Sequence, residues 1–156
     1  MVYRHADPPT PESLERVKRE LRACGAVAYD LWLPETHHLP HVLHPDEHIE
    51  GVVYGRYPPE GDQPAGRAAL IATDQRILFL NKKPGYVRCD ELTFLIVGGV
   101  TLGRTLLASF VTLHSRLGDF RLRTFNQKAA NIFVDYVEAK CLQEGIQPGA
   151  KYDAVT

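Results

Sequence analysis

From Ile49 to Phe125 the sequence breaks into short β-branched and aromatic runs, each closed by a turn signal within about eight residues. That punctuation constrains the fold more than any other feature. Ile49–Tyr57 runs into the loop Pro58-Pro59-Glu60-Gly61-Asp62-Gln63-Pro64. Residues 67–73 and 76–81 are two apolar runs joined by Asp74-Gln75, which reads as a tight hairpin. Lys82-Lys83-Pro84-Gly85 makes the next turn, and residues 86–91 and 92–97 supply one or two further strands ending at Gly98-Gly99. Residues 107–114 and 119–125 form another hairpin around Arg116-Leu117-Gly118. In its second arm Phe120, Leu122 and Thr124 alternate with Arg121 and Arg123, the period of a strand with one wet face.

Helical signals flank this region. Thr10 is placed to cap a helix, Pro11 suits its first position and Glu12 its positive end. Leu14, Val17, Leu21 and Cys24 follow on one stripe, and Gly25 is a natural stop. Arg16, Lys18, Arg19 and Arg22 are offset by Glu12, Glu15 and Glu20, with Glu12–Arg16 and Glu15–Arg19 at supportive spacing, so the polar face reads as solvated. Residues 26–33 are apolar and hold the only tryptophan, Trp32, which predicts that this segment packs against something. Pro34, Pro40 and Pro45 then punctuate a histidine-rich connector that does not read as one regular helix. A last helix begins near residue 127, capped by a Thr124/Gln127 box or by Asn126. Its stripe is Ala130, Phe133, Val137 and Cys141, widened by Ala129, Ile132 and Tyr136, and Gly145 is its stop. The organisation expected is a helix and Pro/His-rich connector over 1–44, a barrel domain over 45–145 and a tail over 146–156.

The whole chain of 156 residues suits one domain with a helical extension. With 44% apolar and 24% charged residues it can bury a core. The 18 basic and 19 acidic residues leave a net charge of −1, so no global field points to nucleic acid. The polar start lacks a secretory signal, and the three cysteines, Cys24, Cys89 and Cys141, are too widely spaced for a disulfide framework. These features predict reduced, mostly buried thiols in a cytoplasmic protein.

Six or seven short antiparallel strands whose open end is plugged by one amphipathic helix is the element order of a pleckstrin-homology (PH) barrel. Two motifs carry a closer resemblance. Ala72-Thr73-Asp74-Gln75-Arg76-Ile77-Leu78-Phe79 resembles the hairpin that marks bacterial PH-like domains, and Leu43-His44-Pro45-Asp46-Glu47-His48-Ile49 resembles the entry into their first strand. The similarity covers about residues 43–143. It implies a mainly β fold, an antiparallel barrel of six or seven strands capped by a C-terminal helix. It also implies a non-catalytic module for protein interaction or self-association, without cofactor or small-molecule substrate. Relatives that bind phosphoinositides carry several cations on their first two strands and the loop between. Here residues 58–66 hold Glu60 and Asp62 and no Lys or Arg, with only Arg56 and Arg67 flanking.

His37, His38, His41, His44 and His48, with Asp46, Glu47 and Glu50, are proper metal donors, and a metal-dependent hydrolase on this segment is the enzymatic alternative. Pro40 and Pro45 argue against bringing those imidazoles together on one helix, and the expected metal set is none. Thr73 and Asp74 fit turn chemistry better than acid–base catalysis. Ser109 and Ser115 do not pair with His114, because neighbouring strand positions face opposite sides. Gly98, Gly99 and Gly103 lack a phosphate-loop frame. No catalytic residue is assigned. The candidate partner- or lipid-binding residues are Arg121 and Arg123 on one strand face with Arg116 in the preceding turn, and Lys82 and Lys83 on another hairpin. Peripheral contact with anionic membrane through these edges is the alternative to a protein partner.

Overall fold

The computed structural model describes residues 11–144 except 60 and 63. Thr10, Gly145 and the 146–156 tail lie outside the described residues. In chain order the elements are α1 (Pro11–Ala23), a 3-10 turn (Asp30–Trp32), α2 (Pro34–Val42), β1 (Ile49–Tyr57), β2 (Gly66–Thr73), β3 (Ile77–Lys83) and β4 (Tyr86–Leu92). A second 3-10 turn (Phe94–Ile96), β5 (Val97–Arg104), β6 (Ser109–Ser115), β7 (Gly118–Thr124) and α3 (Gln127–Gln143) follow.

The strands form one antiparallel sheet in the order β4-β3-β2-β1-β7-β6-β5. A flat sheet would separate β3 from β7 by three strand spacings, about 14 Å. The rings of Phe79 and Phe120 on those strands are instead 5.1 Å apart, so the sheet curls around its own core. The seam is the β1–β7 pairing at Arg56 and Arg123. Gly55 permits it, because a Cβ there would stand 2.3 Å from the Arg123 carbonyl oxygen.

α3 plugs the curl. Ala130, Phe133, Val137 and Cys141 join Val53, Leu70, Phe79, Leu113 and Leu122 in one buried cluster. Asn126 is the cap, its Oδ1 accepting from the Ala129 amide at 3.1 Å, while Thr124 Oγ1 accepts from the Asn126 amide. The antiparallel sheet of seven strands, curled and plugged by a C-terminal helix, is the architecture expected from the element order.

A second core lies on the outer face of β1–β3. Val17 and Leu21 of α1 and Cys24 just after it, with Leu31 and Leu39, cover Val52, Ala69, Ile71, Leu78 and Leu80. Strand alternation places those residues opposite the inner set, and the N-terminal helices supply the apolar partner. Gly25 ends α1 at φ +95°, and its carbonyl accepts from Asn126 Nδ2 at 2.8 Å, which ties the roof to the plug.

Four local expectations change. Residues 34–42 do form a helix: Pro34 takes its first turn, where no amide partner is needed, and Pro40 falls in its last turn. Trp32 is 72% exposed, with the Lys18 ammonium 4.6 Å over its ring, while Leu31 and Leu33 are the buried residues of that segment. Residues 94–96 form a turn, and β5 continues through Gly98-Gly99 to Arg104 with a register shift between Val97 and Gly99. The polar face of α1 is only partly solvated. Arg16 pairs with Glu20 at 3.7 Å and donates to the carbonyls of Pro45 and Glu47, and Lys18 is buried.

Candidate functional site

The two resemblance motifs meet in space. Glu47 is fully buried, and Arg76 grips it through Nε to Oε2 and Nη2 to Oε1, both at 2.9 Å. The Thr73 hydroxyl donates to Glu47 Oε2 at 2.6 Å and accepts from the amides of Gln75 and Arg76. The His44 amide donates to Glu47 Oε1. Burial pushes the Glu47 carboxyl up, but the hydrogen bonds from Arg76, Thr73 and His44 outweigh it and hold the group below its ordinary value. Arg76 also donates to the Val42 carbonyl and faces Glu91 at 3.2 Å. These interactions occupy both carboxylate oxygens of Glu47 and splice the β1 entry to the β2–β3 turn. Asp74 accepts from the His48 amide, across to that same entry.

A second acid is buried under α2. Glu35 Oε1 accepts from Arg67 Nε at 3.3 Å and from the Lys82 amide at 3.4 Å. Its Oε2 has no hydrogen-bond partner, and neither does the buried Nε2 of His38.

The histidines divide among several partners. His44 Nδ1 meets Gln75 at 3.1 Å and His48 Nδ1 meets Glu20 at 2.6 Å, while His37 stacks on Trp32 and the tilted rings of His38 and His41 lie 5.4 Å apart. Among the described residues, no three His, Cys, Asp or Glu side chains converge as metal ligands would. Thr101, His114 and Asp119 form a hydroxyl–imidazole–carboxylate row across β5, β6 and β7, at 3.3 and 3.1 Å. His114 and Asp119 are 42% and 61% exposed, so water screens the row and cross-strand pairing accounts for it. Ser115 is used in its own turn, donating to the Gly118 carbonyl. The thiols are poor nucleophiles: burial pushes Cys24 and Cys89 up to about 11 and raises Cys141.

The five candidate cations do not form one surface. Lys82 is half-buried beside α2, whereas Lys83 lines an open polar cleft with Tyr57, Asn81, Tyr86 and Arg88. Arg116 sits in the β6–β7 turn, where its amide donates to the Ile96 carbonyl, and does not join the other two. Arg121 and Arg123 do come together, with a residue that sequence reading treated only as a loop flank, Arg56. The three line a groove of about 270 Å³ whose other walls include Pro58, Pro59 and Phe110. The Arg121 guanidinium lies 4.9 Å over the Phe110 ring, and that of Arg123 lies 5.6 Å over Phe125. The missing signal was strand register, which local patterning does not encode.

The sequence matches no protein-family model and no curated protein. A solved structure that it resembles is that of the N-terminally truncated linker-DH/PH domains of p115-RhoGEF. The identity is 11% and the TM-score 0.47, over 85% of this chain and 40% of that one. Strand order and packing in this chain define its fold. No described helix is long and apolar enough to cross a membrane.

Proposed function

We propose that the chain is a non-catalytic PH-like binding module that engages a protein, a second copy of itself included. The observation that carries this reading is an exposed apolar corner around the start of α3. Val27, Tyr29, Leu106, Leu107 and Phe125 are each more than half exposed, Leu106 at 94%. Three contacts join the segments that carry them: Asn126 to the Gly25 carbonyl, Thr124 opposite Ser109 in the β6–β7 register, and Arg104 to Asn131. Leu106 and Leu107 occupy the corner of the β5–β6 hairpin, where Gly, Asn and Asp are the residues a turn favours. A cluster of large apolar side chains in water marks an interaction surface. The buried acids and thiols support the non-catalytic part, since they serve packing and splicing.

Light scattering behind size-exclusion chromatography, over a range of concentrations, tests self-association. The expected result is a concentration-dependent dimer that Leu106→Asp/Leu107→Asp abolishes without unfolding the chain. A strict monomer that also captures no partner by cross-linking contradicts the reading. Contact with anionic membrane is the second reading, favoured by the exposed guanidiniums of Arg121 and Arg123. Separation of Arg116, Lys82 and Lys83 from that pair weakens it. Flotation with anionic vesicles at two salt concentrations checks it, because electrostatic docking must weaken as salt rises.

A further inference from the structure

We infer that the groove formed by Arg56, Arg121 and Arg123 is a binding site for a phosphate monoester, carried on an extended segment of a protein partner. This rests on the protein-binding reading above and names the chemistry of the partner.

The starting point is an arrangement that sheets ordinarily avoid. Arg56 stands directly opposite Arg67 in the β1–β2 register and directly opposite Arg123 in the β1–β7 register. Three arginines therefore run in a row across three strands on the outer face, and Arg121 adds a fourth two residues along β7. Like charges directly opposite one another are destabilising. Arg67 has a counter-charge in Glu35. Among the described residues, Arg56, Arg121 and Arg123 have no carboxylate within ion-pair distance.

The side chains are also held in position. Phe110 and Phe125 lie beneath two of the guanidiniums, at 4.9 and 5.6 Å. Guanidinium forks suit a doubly charged, multi-oxygen acceptor, and several such forks exceed what one carboxylate can satisfy. A volume of about 270 Å³ takes a phosphate with the side chain that bears it. Pro58 and Pro59 form a rigid apolar wall for that side chain. The adjoining β1–β2 loop also carries the exposed acid Asp62, which opposes laying a broad anionic bilayer against this face.

Thermal unfolding of the full chain with phenyl phosphate as probe, and benzoate at equal ionic strength as control, tests the site. Phenyl phosphate is expected to raise Tm and benzoate to leave it unchanged. Arg56→Gln and Arg123→Gln are expected to raise the Tm of the free protein, by relieving repulsion, while weakening phenyl phosphate binding about tenfold or more each. Equal shifts from the two probes, or unchanged phosphate affinity in both variants, overturn the inference. A peptide array probed with the intact protein is expected to favour phosphorylated over unphosphorylated copies of the same sequences. Arginine-dependent binding to phosphatidylserine vesicles with no preference for phosphorylated peptides overturns the peptide assignment. A partner that is retained after phosphatase treatment, and by both variants, overturns this inference and leaves the protein-binding reading intact. Phosphate affinity in a chain that engages no protein, itself included, sinks that reading and with it the peptide assignment.

Discussion

Strands β1–β3 and strands β5–β7 differ in how many of their faces are covered. In β2 every residue but Arg67 is buried, because α3 and the inner core lie on one side and the N-terminal helices on the other. In β7 burial alternates strictly: Phe120, Leu122 and Thr124 are in, and Arg121 and Arg123 are out. The consequences for polar chemistry are opposite. The Glu47–Arg76 pair of the first half is enclosed and matched. Ionic groups in the second half stand in water, and Arg121 and Arg123 have no described counter-charge. One half is a scaffold, and the other presents a surface.

The largest blow to that contrast is removal of a buried charge partner. Glu47→Ala leaves Arg76 enclosed without its carboxylate and is expected to cost about 3–5 kcal/mol in denaturant unfolding. The exposed Asp119→Ala is expected to change stability by less than about 0.5 kcal/mol. Next, Leu78→Ala opens a cavity beneath the N-terminal helices and is expected to cost about 2–5 kcal/mol. Thr112→Ala, on the open face of β6, is expected to cost a small fraction of that. A substitution at the seam sharpens the comparison differently. Gly55→Ala forces a methyl against the Arg123 carbonyl and is expected to cost about 1–3 kcal/mol, with the greatest loss of amide protection along β1 and β7.

The smallest effect is a pH dependence that belongs to the first half. Burial, with Lys82 and His41 nearby, lowers the His38 pKa below its ordinary 6.5. The unfolded chain then binds the proton more readily, so stability is complete above about 6.5 and falls as pH drops through the folded value. Glu47 shows the same sign lower down: its stabilisation is present above the ordinary carboxylate range and disappears as pH falls through its depressed value. His38→Gln is expected to flatten the upper part of the stability-versus-pH curve and leave the carboxylate part unchanged.

Much of the scaffold was legible in the sequence. The stripes Leu14/Val17/Leu21/Cys24 and Ala130/Phe133/Val137/Cys141 have helical spacing, and six of the seven strands sit close to runs bounded by turn residues. Burial on both faces of β2 was not legible, since a continuous apolar run fits a strand or a core helix equally. Pro40 hid α2, because a proline in a last helical turn reads locally as a break. Trp32 misled for a related reason: hydrophobicity predicts burial on average, and here Lys18 covers only part of one ring face. The arginine row was invisible because Arg56, Arg67 and Arg123 are brought together by register between distant segments. Thr73, Arg76 and Glu47 were each visible in a motif, but their shared hydrogen bonds span 26 to 29 positions.

The most direct test of the two-sided scaffold is native-state hydrogen exchange on the intact chain. Amides of α1 around Leu21 are expected to open with the same free energy as those of Ile71 and Leu78, near the global unfolding limit. If α1 and α2 exchange almost unprotected while β2 and β3 stay closed, the N-terminal helices are a loose attachment and the contrast between the halves fails.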